Sequence, residues 1–290
     1  MKTAILLLTA ALAAPAATFY LTIAGLGGEP DYAQRFKMWA DDIDGSLKKA
    51  GGDSSVTTLN APQLAQIRTR FADLAKQTRA ADSLVVMLIG HGTYDGHEYK
   101  FNIPGPDLTA TELAALLDRV PAQRQLVVNM TSASGGSIEQ LRRANRIVIA
   151  ATKTGSEKNA TNFARYFAEA LREPAADTDK NESISALEAF RYAQTKTTEF
   201  FDTQKRLATE HSVIEDTGKL AASFIVVRLG ANAAAARDPN KRPLLDRKEQ
   251  LEQAIEKLKF EKAAMPAQEY RRQLTQLLLE LARTQEALDK

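Results

Sequence analysis

The chain contains no cysteine. That single absence excludes disulfides, thiolate metal centres and cysteine nucleophiles. Histidine is scarce as well, with three in 290 residues, and neither His97 nor His211 sits in a metal-ligand pattern. No sign of charge dominates: 38 Lys and Arg against 36 Asp and Glu leave a formal net charge of +2. This balance excludes the basic surplus of a nucleic-acid binder and the polybasic grip of a membrane-surface protein. Long apolar runs are missing beyond the first residues, so no membrane span is expected in the rest of the chain.

The amino terminus is different. A lone Lys2, an apolar run from Ala4 to Ala13 and the small residues Ala14-Pro15-Ala16-Ala17 have the three-part layout of a secretory leader. Pro15 interrupts the run well short of a bilayer-spanning length. Residues 1–17 are therefore expected to be a signal peptide removed after Ala16 or Ala17, leaving a protein exported to the periplasm or the extracellular space.

Short apolar runs alternate with amphipathic stretches through most of the remainder. Phe19 to Ala24, Ser83 to Ile89, Gln125 to Asn129, Ile147 to Thr152 and Ser223 to Leu229 read as strands. Tyr32 to Ala50, Leu64 to Gln77, Thr111 to Asp118, Asn162 to Leu171 and Ser185 to Lys205 read as helices between them. This rhythm predicts an α/β domain over residues 18–230, with a mostly parallel sheet covered by helices on both faces. Residues 231–242 are small, charged and proline-containing, the composition of a linker. Residues 243–290 carry two apolar stripes, one through Leu244, Leu251, Ile255 and Leu258 and one through Leu274, Leu277, Leu278, Leu281 and Leu288. Met265-Pro266 separates them, which predicts a helical hairpin that either packs on the main domain or pairs as a coiled coil with a partner or a second copy.

Two glycine-rich turns follow neighbouring predicted strands. The first, Gly90-His91-Gly92, places an imidazole at the carboxyl edge of the sheet, where the sites of open α/β folds gather. The second, Met130-Thr131-Ser132-Ala133-Ser134-Gly135-Gly136, places hydroxyls on the next strand end. Together they offer a base and a hydroxyl. Gly25-Leu26-Gly27-Gly28 follows the first strand in the manner of a phosphate loop, but Glu29-Pro30-Asp31 sets acid and proline where phosphate would approach, which argues against a nucleotide.

Taken together these turns resemble the caspase/legumain-like cysteine peptidases, in which a buried strand ends in His-Gly and the next ends in acid, small residue, cysteine, any residue, Ser-Gly. The resemblance runs from about Phe19 to Leu229 and is greatest to bacterial exported members, continuing through Ala151-Thr152-Lys153 and a later acidic loop. It implies a three-layer caspase-like sandwich with His91 as base, Ser132 at the nucleophile position, and the backbone amides of Gly92 and Ser132 as the oxyanion hole. The chain departs from the pattern twice, with Ser132 in place of the cysteine and Met130 in place of the acid. A hydroxyl needs a strongly oriented base where a thiol does not, and neither Asp95 nor Asp107 is placed behind His91 by its spacing. The expectation is a pseudo-peptidase that binds peptide or protein in its cleft. The alternatives are a serine-type hydrolase built on His91 and Ser132, or a structural component of a complex held by the C-terminal helices.

No cofactor is required by this reading. A calcium ion is a candidate ligand of the loop from Asp177 to Glu188, where Asp177, Asp179, Asn181, the Ser183 carbonyl and Glu188 fall at EF-hand positions. Glu182 stands where that loop ordinarily has glycine.

Overall fold

The computed structural model describes residues 16–52 and 54–290. The expected leader thus lies outside the described residues except for Ala16 and Ala17. In chain order the elements begin β1 (Thr18–Ala24), α1 (Pro30–Lys49), β2 (Ser54–Asn60), α2 (Leu64–Gln77) and β3 (Ser83–Ile89). Next come β4 (Gly92–Tyr94), β5 (Tyr99–Phe101), β6 (Leu108–Thr109), α3 (Ala110–Asp118), β7 (Arg124–Asn129), α4 (Ile138–Leu141) and β8 (Arg146–Ala150). The chain continues through α5 (Phe163–Ala170), β9 (Ser183–Ser185), α6 (Ala186–Thr203), β10 (Val213–Glu215), β11 (Ile225–Arg228) and α7 (Gly230–Ala235). The C-terminal pair is α8 (Arg242–Glu261) and α9 (Ala267–Asp289).

Six strands form the central sheet in the order β10-β8-β7-β3-β1-β2, all parallel except β10. The alternation of β3 explains the layering: Val85, Met87 and Ile89 enter one apolar core, and Leu84, Val86 and Leu88 enter the other. The first core is shared with Phe36, Trp39 and Ile43 of α1, Phe163 and Phe167 of α5, and Phe190 of α6. The second is shared with Ile67 and Phe71 of α2 and with Leu113 and Leu117 of α3. Burying each such side chain contributes about 1.5–3 kcal/mol, which is why a strand apolar on both sides commits to the middle layer. This is a three-layer α/β sandwich, as expected.

Two strands of the central sheet went unrecognised in the sequence. The β2 segment Ser-Ser-Val-Thr-Thr-Leu-Asn is half-buried along most of its length, as suits a sheet edge, and lacks an apolar run. β10 is three residues long. The expected strand at Ser223 to Leu229 forms, but outside the main sheet: β11 pairs antiparallel with β9 in a separate ribbon. Its partner is short and polar, so periodicity could not assign it.

Within the stretch of linker-like composition, Gly230–Ala235 is helical. The Glu182 carboxylate accepts the Ala231 and Asn232 amides at the start of that helix, 2.9 and 3.3 Å away, and Asn232 is 2% exposed. α8 then rests on the main body through Arg228, whose Nε and Nη2 donate to Glu249 at 2.6 and 2.8 Å. Lys248 reaches the Asn181 carbonyl at 3.1 Å. α9 packs along α8 and buries Thr284 and Leu288. No helix among the described residues is long and apolar enough to cross a membrane.

Candidate functional site

His91 and Gly92 leave the carboxyl end of β3, and residues 130–137 leave the carboxyl end of β7, its hydrogen-bonded neighbour. Adjacent parallel strands bring the two turns together. The contact is tight: a Cβ on Gly92 would lie 2.5 Å from the Ser132 carbonyl oxygen and 2.5 Å from Cε2 of Tyr99, so only glycine fits. Ser132 is 3% exposed, and Ala133 after it adopts φ 54°, the left-handed conformation a non-glycine residue rarely takes.

Ser132 Oγ accepts the Gly92 amide at 3.1 Å and donates to the Gly92 carbonyl at 3.2 Å. The hydroxyl therefore sits on the amide that the sequence assigned to the oxyanion hole. Its proton is directed at a backbone carbonyl.

His91 faces elsewhere. Its ring meets Tyr32 and Phe36 edge-on, with centroids 4.8 and 5.1 Å away. Burial lowers the imidazole pKa, while a hydrogen bond to the Gly27 carbonyl and the nearby Glu29 charge act in the opposite direction. The net shift is downward, which favours the neutral ring. No hydrogen bond joins His91 to Ser132 among the described residues. The two residues share a site without forming a dyad.

The groups around the nucleophile turn are neutral. Tyr99 Oη lies 2.5 Å from Thr131 Oγ1 and 3.2 Å from Asn129 Oδ1, and Asn129 Nδ2 donates to Ser137 Oγ at 3.1 Å. Ser134 Oγ accepts the Thr152 amide at 3.0 Å, and Thr161 Oγ1 donates to the Met130 carbonyl at 2.6 Å. Residues 152–157 close over the turn, where the Ala133 amide donates to the Glu157 carbonyl at 2.8 Å. The Glu157 side chain is fixed in turn by His211 Nδ1 at 2.8 Å. Neither nearby aspartate orients His91. Asp95 accepts the amides of His97 and Glu98, and Asp107 accepts Asn102 Nδ2 and the Ile103 amide.

The residues that surround His91 were missed in the sequence. Gly27, Glu29, Tyr32 and Phe36 belong to the loop after β1 and the start of α1. The signal in the sequence is Gly25-Leu26-Gly27-Gly28-Glu29, a third turn at the same sheet edge.

In the acidic loop, Asp177, Asp179 and Glu188 bring carboxylate oxygens within 4.8 Å of one another. Glu182 has φ 63°, the conformation glycine would supply at that loop position. The donor set is all oxygen and suits a hard cation such as calcium. The Glu188 carboxylate is already engaged: Oε1 accepts the Thr178 amide and hydroxyl at 2.9 Å each, and Oε2 accepts the Ser185 amide at 3.0 Å and hydroxyl at 2.8 Å. Asp177 accepts the Asn181 and Glu182 amides. The Ser183 hydroxyl is held by Asn232. Burial, followed by the Glu188 charge, raises the Asp179 pKa.

No family model matches the sequence, and no match is found among curated proteins. Among solved structures, similarity extends to the Drosophila initiator caspase Dronc, with TM-score 0.47 and 12% identity over 70% of this chain and 80% of that one. Caspase-1 from Spodoptera frugiperda matches with TM-score 0.49 and 14% identity, over 70% of this chain and 86% of that one. A protein from Geobacter sulfurreducens matches with TM-score 0.48 and 12% identity, over 74% of this chain and 98% of that one.

Proposed function

We propose that this chain is an exported peptidase homologue of caspase/legumain-like build that does not hydrolyse peptides and instead binds peptide or protein beside His91. The observation that carries this reading is the pair of hydrogen bonds between Ser132 Oγ and the two backbone groups of Gly92. A serine nucleophile has to give its proton to a base and leave the oxyanion donors free for the carbonyl oxygen of the substrate. Here the proton goes to a carbonyl and the Gly92 donor is taken by the hydroxyl itself.

Among the described residues no carboxylate accepts a hydrogen bond from His91, the contact that orients the base in a Ser-His-Asp mechanism. With Ser132 nearly covered, a peptide would lie against the partly exposed His91 and Tyr32 and the exposed Glu29. Export in this reading rests on the leader-like residues 1–17. The exposed Phe260, Leu278 and Leu279 of the C-terminal pair support association with a partner or a second copy, which light scattering would detect as mass above that of one chain.

The test is a peptide-library and ester hydrolysis assay on the wild type and Ser132→Ala, with binding of the same peptides followed by fluorescence anisotropy. The expected result is no turnover by either protein and similar binding by both. Turnover by the wild type that Ser132→Ala abolishes would replace this reading with a serine hydrolase.

A further inference from the structure

A cavity lies at the end of the sheet opposite the His91 turn. It has a volume of about 1030 Å³ and runs beneath the amino ends of the strands, lined by Thr18 of β1, Ser83 of β3 and Arg124 of β7 and roofed by the first turns of α8. Since β3 is seven residues long at about 3.3 Å per residue, the cavity is about 20 Å from the His91 turn. The size is that of a small-molecule site.

Charge in the cavity is uneven. Four arginines line it, Arg124, Arg228, Arg237 and Arg242, against the two carboxylates Asp246 and Glu249. Both carboxylates are already paired, Glu249 with Arg228 at 2.6 Å and Asp246 with Arg242 at 3.1 Å. Among the described residues the other two guanidinium groups hydrogen-bond only to carbonyl oxygens: Arg124 Nη2 donates to Ser223 at 2.8 Å, and Arg237 donates to Lys49. Arg124 also lies over the Phe224 ring at 5.3 Å, and its buried Nε has no hydrogen-bond partner. A buried guanidinium without a counter-ion is costly, because desolvation is not repaid by a nearby negative charge. Burial accordingly lowers the Arg124 pKa, with the more distant Glu249 acting against that shift.

We propose that this arginine-lined cavity between the sheet and α8 binds a small organic anion, with its carboxylate or phosphate at Arg124 and its apolar body against Phe224 and Pro243. Guanidinium recognises both acids through paired N–H donors, which a neutral molecule of the same shape cannot replace. Ile225 and Ala236 extend the apolar wall, which favours an anion with a hydrocarbon body over an inorganic ion. The site is separate from the cleft at His91 and stands whether or not Ser132 is catalytic.

Isothermal calorimetry on the full chain with phenyl phosphate, benzoate, inorganic phosphate and benzyl alcohol tests the assignment. Phenyl phosphate or benzoate should bind in the millimolar range or tighter, and whichever binds better identifies the acid. Inorganic phosphate should bind at least about tenfold more weakly for want of an apolar body, and benzyl alcohol not at all. Arg124→Met should weaken the organic anion by about tenfold or more, whereas Arg283→Met, an equal charge change on α9, should leave it unaltered. Ala81→Trp narrows the cavity from its rim without touching a charge and should also weaken binding, which keeps the test decisive if Arg124→Met does not fold. Absence of binding by both organic anions, or undiminished binding in both cavity variants, overturns the proposal.

Discussion

Replacing Glu188 by alanine removes one carboxylate that holds three parts of the chain. Its Oε2 closes a capping box with Ser185 at the start of α6, while its Oε1 accepts the Thr178 amide and hydroxyl and, at 3.4 Å, the Asp179 amide. Loss of an N-terminal cap costs about 1 kcal/mol. Backbone donors left facing the interior cost about 1–3 kcal/mol more, because Glu188 is buried and water does not readily replace it. The sum is about 3 kcal/mol, or a fall in Tm of about 6–12 °C for a chain of this size. Thermal unfolding followed by circular dichroism in the presence of a chelator reads the cap alone. A loss below about 1 kcal/mol would refute the reasoning.

The pH dependence supplies a second reading of the same group. Burial acts to raise the Glu188 pKa, but the donors from Ser185 and Thr178 outweigh it and bring the folded value below 4.5. Stabilisation by such a group is complete above the unfolded pKa and is lost as pH falls through the folded one. Glu188→Gln keeps one acceptor oxygen and should fall between wild type and alanine at neutral pH, with the gap to wild type closing in acid. Millimolar calcium is expected to raise the Tm of the wild type and to leave Glu188→Ala unmoved, since a cation would have to share this carboxylate. No response in the wild type would leave the loop as a cap alone.

Arg146→Met should cost about 3 kcal/mol in urea unfolding, because a guanidinium 1% exposed donates to Gln125, to the Leu141 carbonyl and to Asp118; a loss under about 1 kcal/mol would show those acceptors to be satisfied otherwise. Leader removal after Ala16 should be preferred to removal after Ala17, because the Ala17 amide donates to the buried Asp82 at 2.9 Å and its carbonyl accepts the Ser83 amide at 2.9 Å. Terminal sequencing of exported protein should therefore begin at Ala17, and a start at Thr18 would refute the preference. Ser132→Cys should react with iodoacetamide, since a larger sulfur that hydrogen-bonds weakly cannot keep both Gly92 contacts; an inert cysteine would mean that burial alone silences the position.

The middle layer was readable because buried parallel strands are apolar on both faces, and Leu84 to Ile89 can be little else. The edges were not. β2 is made of Ser, Thr and Asn around one Val and one Leu, and its pairing to β1 depends on backbone hydrogen bonds that composition does not record. Residues 231–242 have the composition of a linker, and composition does not record partners. Ala235 and Ala236 pack with Leu245 and Leu288, and Asn232 bonds to the Asn181 carbonyl, contacts between residues far apart in the chain. At the site, the glycines beside His91 and those at 135 and 136 mark two turns in the sequence. What decides their chemistry is the direction of each polar atom, set by Gly27 and Gly92, and no spacing rule gives that.

That direction follows from how the two turns interlock. Ala133 holds a left-handed conformation that costs an alanine on the order of 1 kcal/mol. It is held there because its amide is fixed by Glu157 and its carbonyl accepts the Gly136 amide at 3.0 Å. The same turn carries the Ser132 carbonyl to where Gly92 would have a Cβ, so neither turn can shift alone. Hydroxyl chemistry suits this interlock: oxygen is small enough to lie within hydrogen-bond distance of both Gly92 backbone groups and can donate to one while accepting from the other. Serine thereby ties the junction together with two hydrogen bonds to one glycine. Local strain persists only where the surroundings over-determine it, and it collects at ligand sites. In this chain the strain lies at the strand ends beside a half-exposed His91, and in the function proposed above it is the imidazole that meets the ligand.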